Sequence, residues 1–264
     1  MAHQTGRTIS GVFTVLLLCG GVQAQEPEPV RLVDSPTAGL TSKGRFGIDM
    51  RLFSNGGVTG EVNAGILKRI AIGLSFGGTG IIGDDEVSWY PRVEAAARYR
   101  VIEESSSMPG VAIGYETQGY GAYEEKRYQI KSKGLFAAFS KNYASALGQF
   151  GLHAGINLTR EDEEDGDLSG WVGVDKSIGR QLSIVGEYDL ALNDNEDDSL
   201  GSGKGYLNVG AYWSAVPNIG IGVLLKNVLR NREDPKTGVP ILEQQLSADP
   251  DVSREISIRY TEEF

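Results

Sequence analysis

Ile70-Ala71-Ile72-Gly73-Leu74-Ser75-Phe76-Gly77 is the stretch whose reading decides the fold. Ile70, Ile72, Leu74 and Phe76 fall on one face, and Ala71, Gly73, Ser75 and Gly77 on the other. A period of two is the signature of a strand with two unlike faces. The same pattern recurs at Phe150–Leu158, Leu207–Trp213 and Glu255–Tyr260. Working outward from these, we place strands near 45–54, 58–67, 69–79, 92–102, 110–118, 132–141, 149–159, 168–177, 181–191, 204–213, 218–227 and 254–263. Each is about ten residues long, the length of a tilted strand crossing a bilayer. Alternation blurs at 132–141, where Phe136 and Phe139 face opposite ways, and Trp171 falls on the polar side of its strand.

The links carry a second rhythm. Lys68-Arg69, 103–109, 142–148, 178–180 and 214–217 are short, whereas 80–91, 119–131, 192–203 and 228–253 are long, with 160–167 intermediate and 55–57 tight. Loop asymmetry of this kind belongs to an outer-membrane barrel with short periplasmic turns. An even strand count returns both chain ends to the periplasmic side. Exposed backbone groups cannot be satisfied by lipid, so such a sheet must close on itself. A soluble β-sandwich would also alternate, but with its apolar stripe inward. The expected fold is therefore all-β, a closed antiparallel transmembrane β-barrel of about twelve strands with longer acidic extracellular loops, spanning 44–264.

Composition agrees with that architecture. The chain has 264 residues, 36 of them glycine, and a formal net charge of −10. An acidic balance argues against nucleic acid as a partner, because phosphate binding needs a basic surface. One cysteine and two histidines leave little for a disulfide framework or a zinc site. No cofactor and no metal are expected.

The first residues read as an address. Arg7 precedes the apolar run Ile9–Cys19, and Val22-Gln23-Ala24 offers small residues for cleavage after Ala24, so 1–24 reads as a signal peptide. Lipidation at Cys19 is the competing reading, although Leu18 stands where a small residue is expected. Loss of Arg7 would take the net charge from −10 to −11 and leave His153 as the one histidine. Residues 25–43, with Pro27, Pro29 and Pro36 and no periodicity, read as a periplasmic lead-in. The expected location is the outer membrane of a Gram-negative-type envelope. Phe264 ends the chain with Tyr260, Ile258 and Ile256 at alternate positions before it, a signal for the barrel assembly machinery, although Glu262 breaks the pattern.

Several stretches resemble a known group: Ser35-Pro36-Thr37-Ala38-Gly39, Ser75-Phe76-Gly77-Gly78 with Ile81-Ile82-Gly83, Arg98–Glu104, Ala112-Ile113-Gly114-Tyr115-Glu116, Ser140-Lys141 followed by Leu152-His153-Ala154-Gly155, and Glu187-Tyr188-Asp189. Together they resemble the YjbH-like outer-membrane β-barrel proteins associated with exopolysaccharide production. The resemblance implies a barrel accessory to cell-surface polysaccharide production or export, with polysaccharide or export components as partners beside outer-membrane lipid. It supplies no catalytic motif.

The polar faces nominate lumen-lining residues: Arg45, Asp49, Arg51, Glu61, Asn63, Glu94, Arg98, Arg100, Glu116, His153, Asn157, Asp175, Glu187, Asp189, Asn208 and Arg259. They fit either a selective pore acting on a passing solute or a lumen closed by a salt-bridged network. Acidic runs at Asp84–Glu86, Glu161–Asp165 with Asp167, and Asp194 with Glu196–Asp198 read as solvated loops, with a diffuse divalent-cation site as the alternative. Tyr99, Tyr115, Tyr188, Trp213 and Tyr260 are candidates for interfacial belts. Trp89, Tyr90, Tyr120, Tyr123 and Tyr128 read as loop packing or carbohydrate stacking. His153 has no serine on its own strand face, so the nucleophile of a hydrolase is missing and an enzyme is not expected. Gly201-Ser202-Gly203-Lys204-Gly205 lacks the spacing of a phosphate loop and reads as a turn. A diffusion pore and a structural or adhesive surface barrel remain alternatives to the accessory role.

Overall fold

A computed structural model describes residues 28–124, 126–145, 148–161, 166–195, 204–231 and 252–264. The signal-peptide reading at 1–24, the acids at 162–165 and 196–198, and glycines 201 and 203 lie outside those residues. Among the described residues there are fifteen strands: β1 (Arg45–Phe53), β2 (Gly57–Leu67), β3 (Ile70–Thr79), β4 (Ser88–Trp89), β5 (Glu94–Ile102), β6 (Gly110–Glu116), β7 (Tyr120–Glu124), β8 (Arg127–Ile130), β9 (Gly134–Ser145), β10 (Gly148–Leu158), β11 (Ser169–Ile178), β12 (Leu182–Asp189), β13 (Tyr206–Val216), β14 (Ile219–Lys226) and β15 (Ser253–Glu263). Twelve of them form the wall, each antiparallel to its neighbours, and β1 pairs β15 from Arg45↔Glu263 to Leu52↔Ile256. That seam closes the barrel, so no edge is left unpaired. Each of the twelve expected strands overlaps one wall strand. The β7–β8 hairpin and the two-residue β4 were not expected.

The exterior decides between barrel and sandwich. Along β3, Leu74 is 59% exposed and Ser75 7% exposed. Ile48, Val62, Ile72, Ile113, Leu152, Val172, Ile184 and Val223 continue the outward apolar face around the wall. Soluble proteins do not expose a contiguous apolar belt of this size. Small and charged residues face inward, the reverse of a sandwich, and the molecule is a membrane-spanning barrel.

Irregularities in the pattern have a common cause. Phe136 and Trp171 are both buried inside, with ring centroids 6.4 Å apart, while Phe139 faces outward. These rings intrude on the polar face because something other than water fills the lumen. Residues 28–41 of the expected periplasmic lead-in at 25–43 instead run inside the barrel, where Leu32, Val33, Asp34 and Ser35 are fully or almost fully buried.

Candidate functional site: a lumen filled from both ends

The chain before β1 turns back on itself. Leu32 N–H donates to Ser35 O at 3.0 Å, Thr37 N–H to Val30 O at 3.1 Å, and Arg31 bridges Pro36. The result is a narrow hairpin, 28–39, with its tip at Leu32–Ser35; we call it the strap. Proline at 36 fits a turn flank that needs no further N–H. Two wall glycines make room for what it brings. A Cβ at Gly173 would lie 2.3 Å from Leu32 Cδ1, and one at Gly155 would lie 2.2 Å from Trp171 Cζ2. Trp171 Nε1 then donates to Pro36 O at 3.1 Å.

Ionic contacts hold the tip. Glu187 accepts the backbone N–H groups of Val33 (3.1 Å), Asp34 (2.9 Å) and Ser35 (2.9 Å), together with Asn208 Nδ2 at 2.8 Å. Successive N–H groups converging on one carboxylate form an anion nest. Asp34 is gripped by Arg51 at 2.6 Å and Lys226 at 2.7 Å, and Arg51 also donates to Val33 O at 2.7 Å. Glu255 lies 3.4 Å from Arg51 and 3.2 Å from Lys226. Both cations sit on the Tyr120 ring, at 4.5 and 4.7 Å from its centroid.

Lower on the strap, Arg31 pairs with Glu61 at 2.9 Å and with Glu116. Arg98 joins Glu116 at 3.2 Å and Val30 O at 2.6 Å, and Arg100 takes Glu28 at 2.6 Å. At the tip, Leu32 and Val33 pack apolarly against Val185, Leu224 and Tyr212. Tyr212 also donates to Leu32 O at 2.8 Å, and Arg259 links Tyr212 to Asp49 at 2.8 and 2.7 Å.

The β7–β8 hairpin enters from the long-loop side. Tyr120 and Ile130 pack with Ala191 and Tyr206, and Tyr128 packs edge-on against Tyr90 and Tyr123, both at 4.9 Å. Tyr128 donates to Glu94 at 3.1 Å, and Tyr90 to Gly121 O at 2.8 Å. Loop packing, not an open stacking platform, is therefore what these tyrosines do; Trp89 stacks on Phe76 at 5.7 Å on the outside. Two acids expected in solvated loops are drawn in as well. Asp194 pairs with Arg127 at 2.8 Å and accepts Tyr206 OH at 2.9 Å. Glu161 accepts the N–H groups of Ser132 (2.7 Å) and Tyr128 (3.3 Å), and burial pushes its carboxyl up to about 7. Asp84, Asp85 and Glu86 stay exposed. Between the hairpin and the wall, a cavity of about 20 Å³ beside Tyr120, Lys226 and Glu255 has room for about one water.

The nominated residues thus fall into two groups. Asp49, Arg51, Glu61, Arg98, Arg100, Glu116, Glu187 and Arg259 are brought together around the strap. Glu94 and Asp189 lie under the hairpin, where Asp189 pairs with Lys133. Arg45 sits apart at the chain-end rim with Glu263 (2.8 Å), and Phe264, 76% exposed, leans on Phe46 at 6.4 Å. Sequence reasoning missed Arg31, Asp34, Lys133, Lys226 and Glu255. Lys226 and Glu255 shared the inward parity of Gly220, Gly222 and Arg259 and were legible; the strap residues had no periodicity to follow.

Ser140 is a correction. His153 lacks a serine on its own strand, but the adjacent β9 supplies one through the register Ser140↔His153. Ser140 Oγ lies 2.8 Å from His153 Nδ1, and His153 Nε2 lies 2.7 Å from Asp175 Oδ1. These are the residue types of a hydrolase triad, with the two ring nitrogens exchanged. Ser140 Oγ, however, accepts the Ala38 N–H at 2.8 Å. A reacting carbonyl would have to displace the strap backbone, so the array fastens strap to wall. Among the described residues no group of three His, Cys, Asp or Glu is placed to hold a metal ion.

No family model matches the chain, and no curated protein matches it. Among solved structures it is similar to the KdgM porin, at 8% identity and a TM-score of 0.48, over 82% of this chain and 98% of that one. It is also similar to Omp33 of Acinetobacter baumannii (9%, 0.44, 85% and 100%) and to the NanC porin (9%, 0.43, 83% and 99%). Likenesses of this size carry neither family nor substrate to this chain.

Proposed function

We propose that this chain is a porin-like, non-enzymatic barrel of the outer membrane whose conduit is occupied by its own amino-terminal strap, and that it passes small solutes when the strap yields. The observation that carries the reading is the kind of contact holding the strap. Asp34, Arg31 and Glu28 are tied to the wall by ion pairs, with Leu32 and Val33 packed apolarly at the tip. A lumen meant to stay filled would be at least as stable with apolar residues in those places. Charged walls of both signs suit water and polar solutes once the strap is out.

Planar-bilayer conductance tests this. Mature wild-type protein is expected to be silent or to open rarely, and D34N with E187Q to give frequent stepwise currents. A folded double variant that stays silent would contradict it.

A second reading, an accessory role in polysaccharide production or export, has one observation in its favour. Ser35-Pro36-Thr37-Ala38-Gly39, one of the stretches that carry the YjbH-like resemblance, lies inside the lumen as half of the strap. Loss of secreted polysaccharide on deletion of the gene, with normal uptake of small solutes, would favour it. On either reading the barrel assembly machinery would meet Phe264 at the exposed chain end.

A further inference from the structure

A cavity of about 350 Å³ opens on the outside of the wall where β6, β9 and β10 end on the long-loop side. Its floor is Tyr115, Leu135 and Leu158, which face outward within the apolar belt. Arg92 and Arg160 stand over that floor at the rim. Arg92 is held by Glu94 at 3.0 Å, and Glu94 is almost fully buried. Arg160 is exposed and has no carboxylate within ion-pair distance among the described residues. Glu161 also lines the cavity, and its two oxygens are taken by the Ser132 and Tyr128 amides. Part of the cavity lining is therefore apolar, and Arg92 and Arg160 add two guanidinium groups to the rest.

We propose that this cavity binds one phosphorylated glycolipid of the outer leaflet, with acyl chains along Tyr115, Leu135 and Leu158 and a lipid phosphate on Arg92 and Arg160. The inference rests on the outer-membrane reading, which puts the long loops and this rim at the outer leaflet. Guanidinium forks match phosphate oxygens in charge and geometry. The strap and the lumen take no part in it.

Flotation of wild-type protein with vesicles is measured first, and then retention of bisphosphorylated lipid A against the same lipid dephosphorylated, by native mass spectrometry. Wild type is expected to float and to retain the phosphorylated form about tenfold better, the worth of one good charge-assisted contact. R160Q should lose about threefold of that preference, and R92Q with R160Q nearly all of it. Because R92Q strands Glu94, R160Q alone keeps the test valid if the double variant does not fold. Equal retention of the two lipids by a floating wild type would overturn the site and leave the barrel intact. Complete displacement by excess inorganic phosphate would also overturn it, by reassigning the arginines to a free anion. A chain that does not float would contradict the membrane reading and the site with it.

Discussion

Wall and filling are built on opposite rules within one molecule. The wall is regular, its ladder hydrogen bonds run between neighbouring strands, and its outward face needs only to be apolar. The strap and the β7–β8 hairpin are irregular, and their ties join residues far apart in sequence, such as Asp34 to Glu187 and Arg51 to Asp34. Lipid enforces the first rule, because a backbone group left unpaired in hydrocarbon costs several kcal/mol. Charge pairing in a confined lumen enforces the second, and there removal of one partner strands another. The difference teaches that the wall can survive damage to the filling, whereas the filling presupposes the wall.

The sharpest way to separate the two is Asp34→Ala. It leaves Arg51 and Lys226 sharing Glu255 alone, and breaking a buried network of this kind costs about 3–5 kcal/mol. We expect the loss in hydrogen-exchange protection of strap amides, with the wall amides little changed. Equal loss in both would mean that wall and strap are one cooperative unit. The converse change is Leu74→Arg, on the lipid face of β3. It should cost about 2–4 kcal/mol near the bilayer midplane, read as a lower urea midpoint for folding into vesicles, with strap protection falling in step. Gly173→Val probes the seam between the two regions. Its side chain would meet Leu32, and overpacking typically costs about 1–3 kcal/mol. The strap tip, rather than the melting of the barrel, should register it.

Acidity offers a graded handle on the other filling element. Burial raises the Glu161 carboxyl from 4.5 to about 7. A raised folded value means that the folded state holds the proton more tightly, so this contribution is full below about 4.5 and is lost as pH rises through 7. Protection of the Ser132 and Tyr128 amides should therefore decline between those values, and Glu161→Gln should flatten the decline. The smallest effect is expected from Trp171→Phe, which removes one hydrogen bond to Pro36 O and should cost about 1 kcal/mol of strap attachment.

The same contrast decides what the sequence could reveal. Each wall strand announces itself because one face meets lipid and the other does not, so parity alone placed Arg51, Glu116 and Glu187 inside. Parity also fails at two rings. Phe136 and Trp171 broke the alternation where the strap packs, and glycines 155 and 173 cleared space for rings and side chains no strand pattern accounts for. The strap itself is illegible because Glu28, Arg31 and Asp34 pair with residues on five different elements. Glu161 and Asp194 read as members of self-repelling acidic runs; their partners come from 127–132 and, for Asp194, also from Tyr206 on β13, which charge counting along the chain cannot find. Ser140 was invisible beside His153 for a related reason, since a cross-strand neighbour is set by register and not by spacing.

Single-channel conductance of the folded mature chain, compared with a folded chain that begins at residue 40, tests the central claim most directly. The account predicts silence with rare openings from the first and sustained stepwise currents from the second. Steady currents from the complete mature chain, or a silent barrel once the strap is gone, would contradict it.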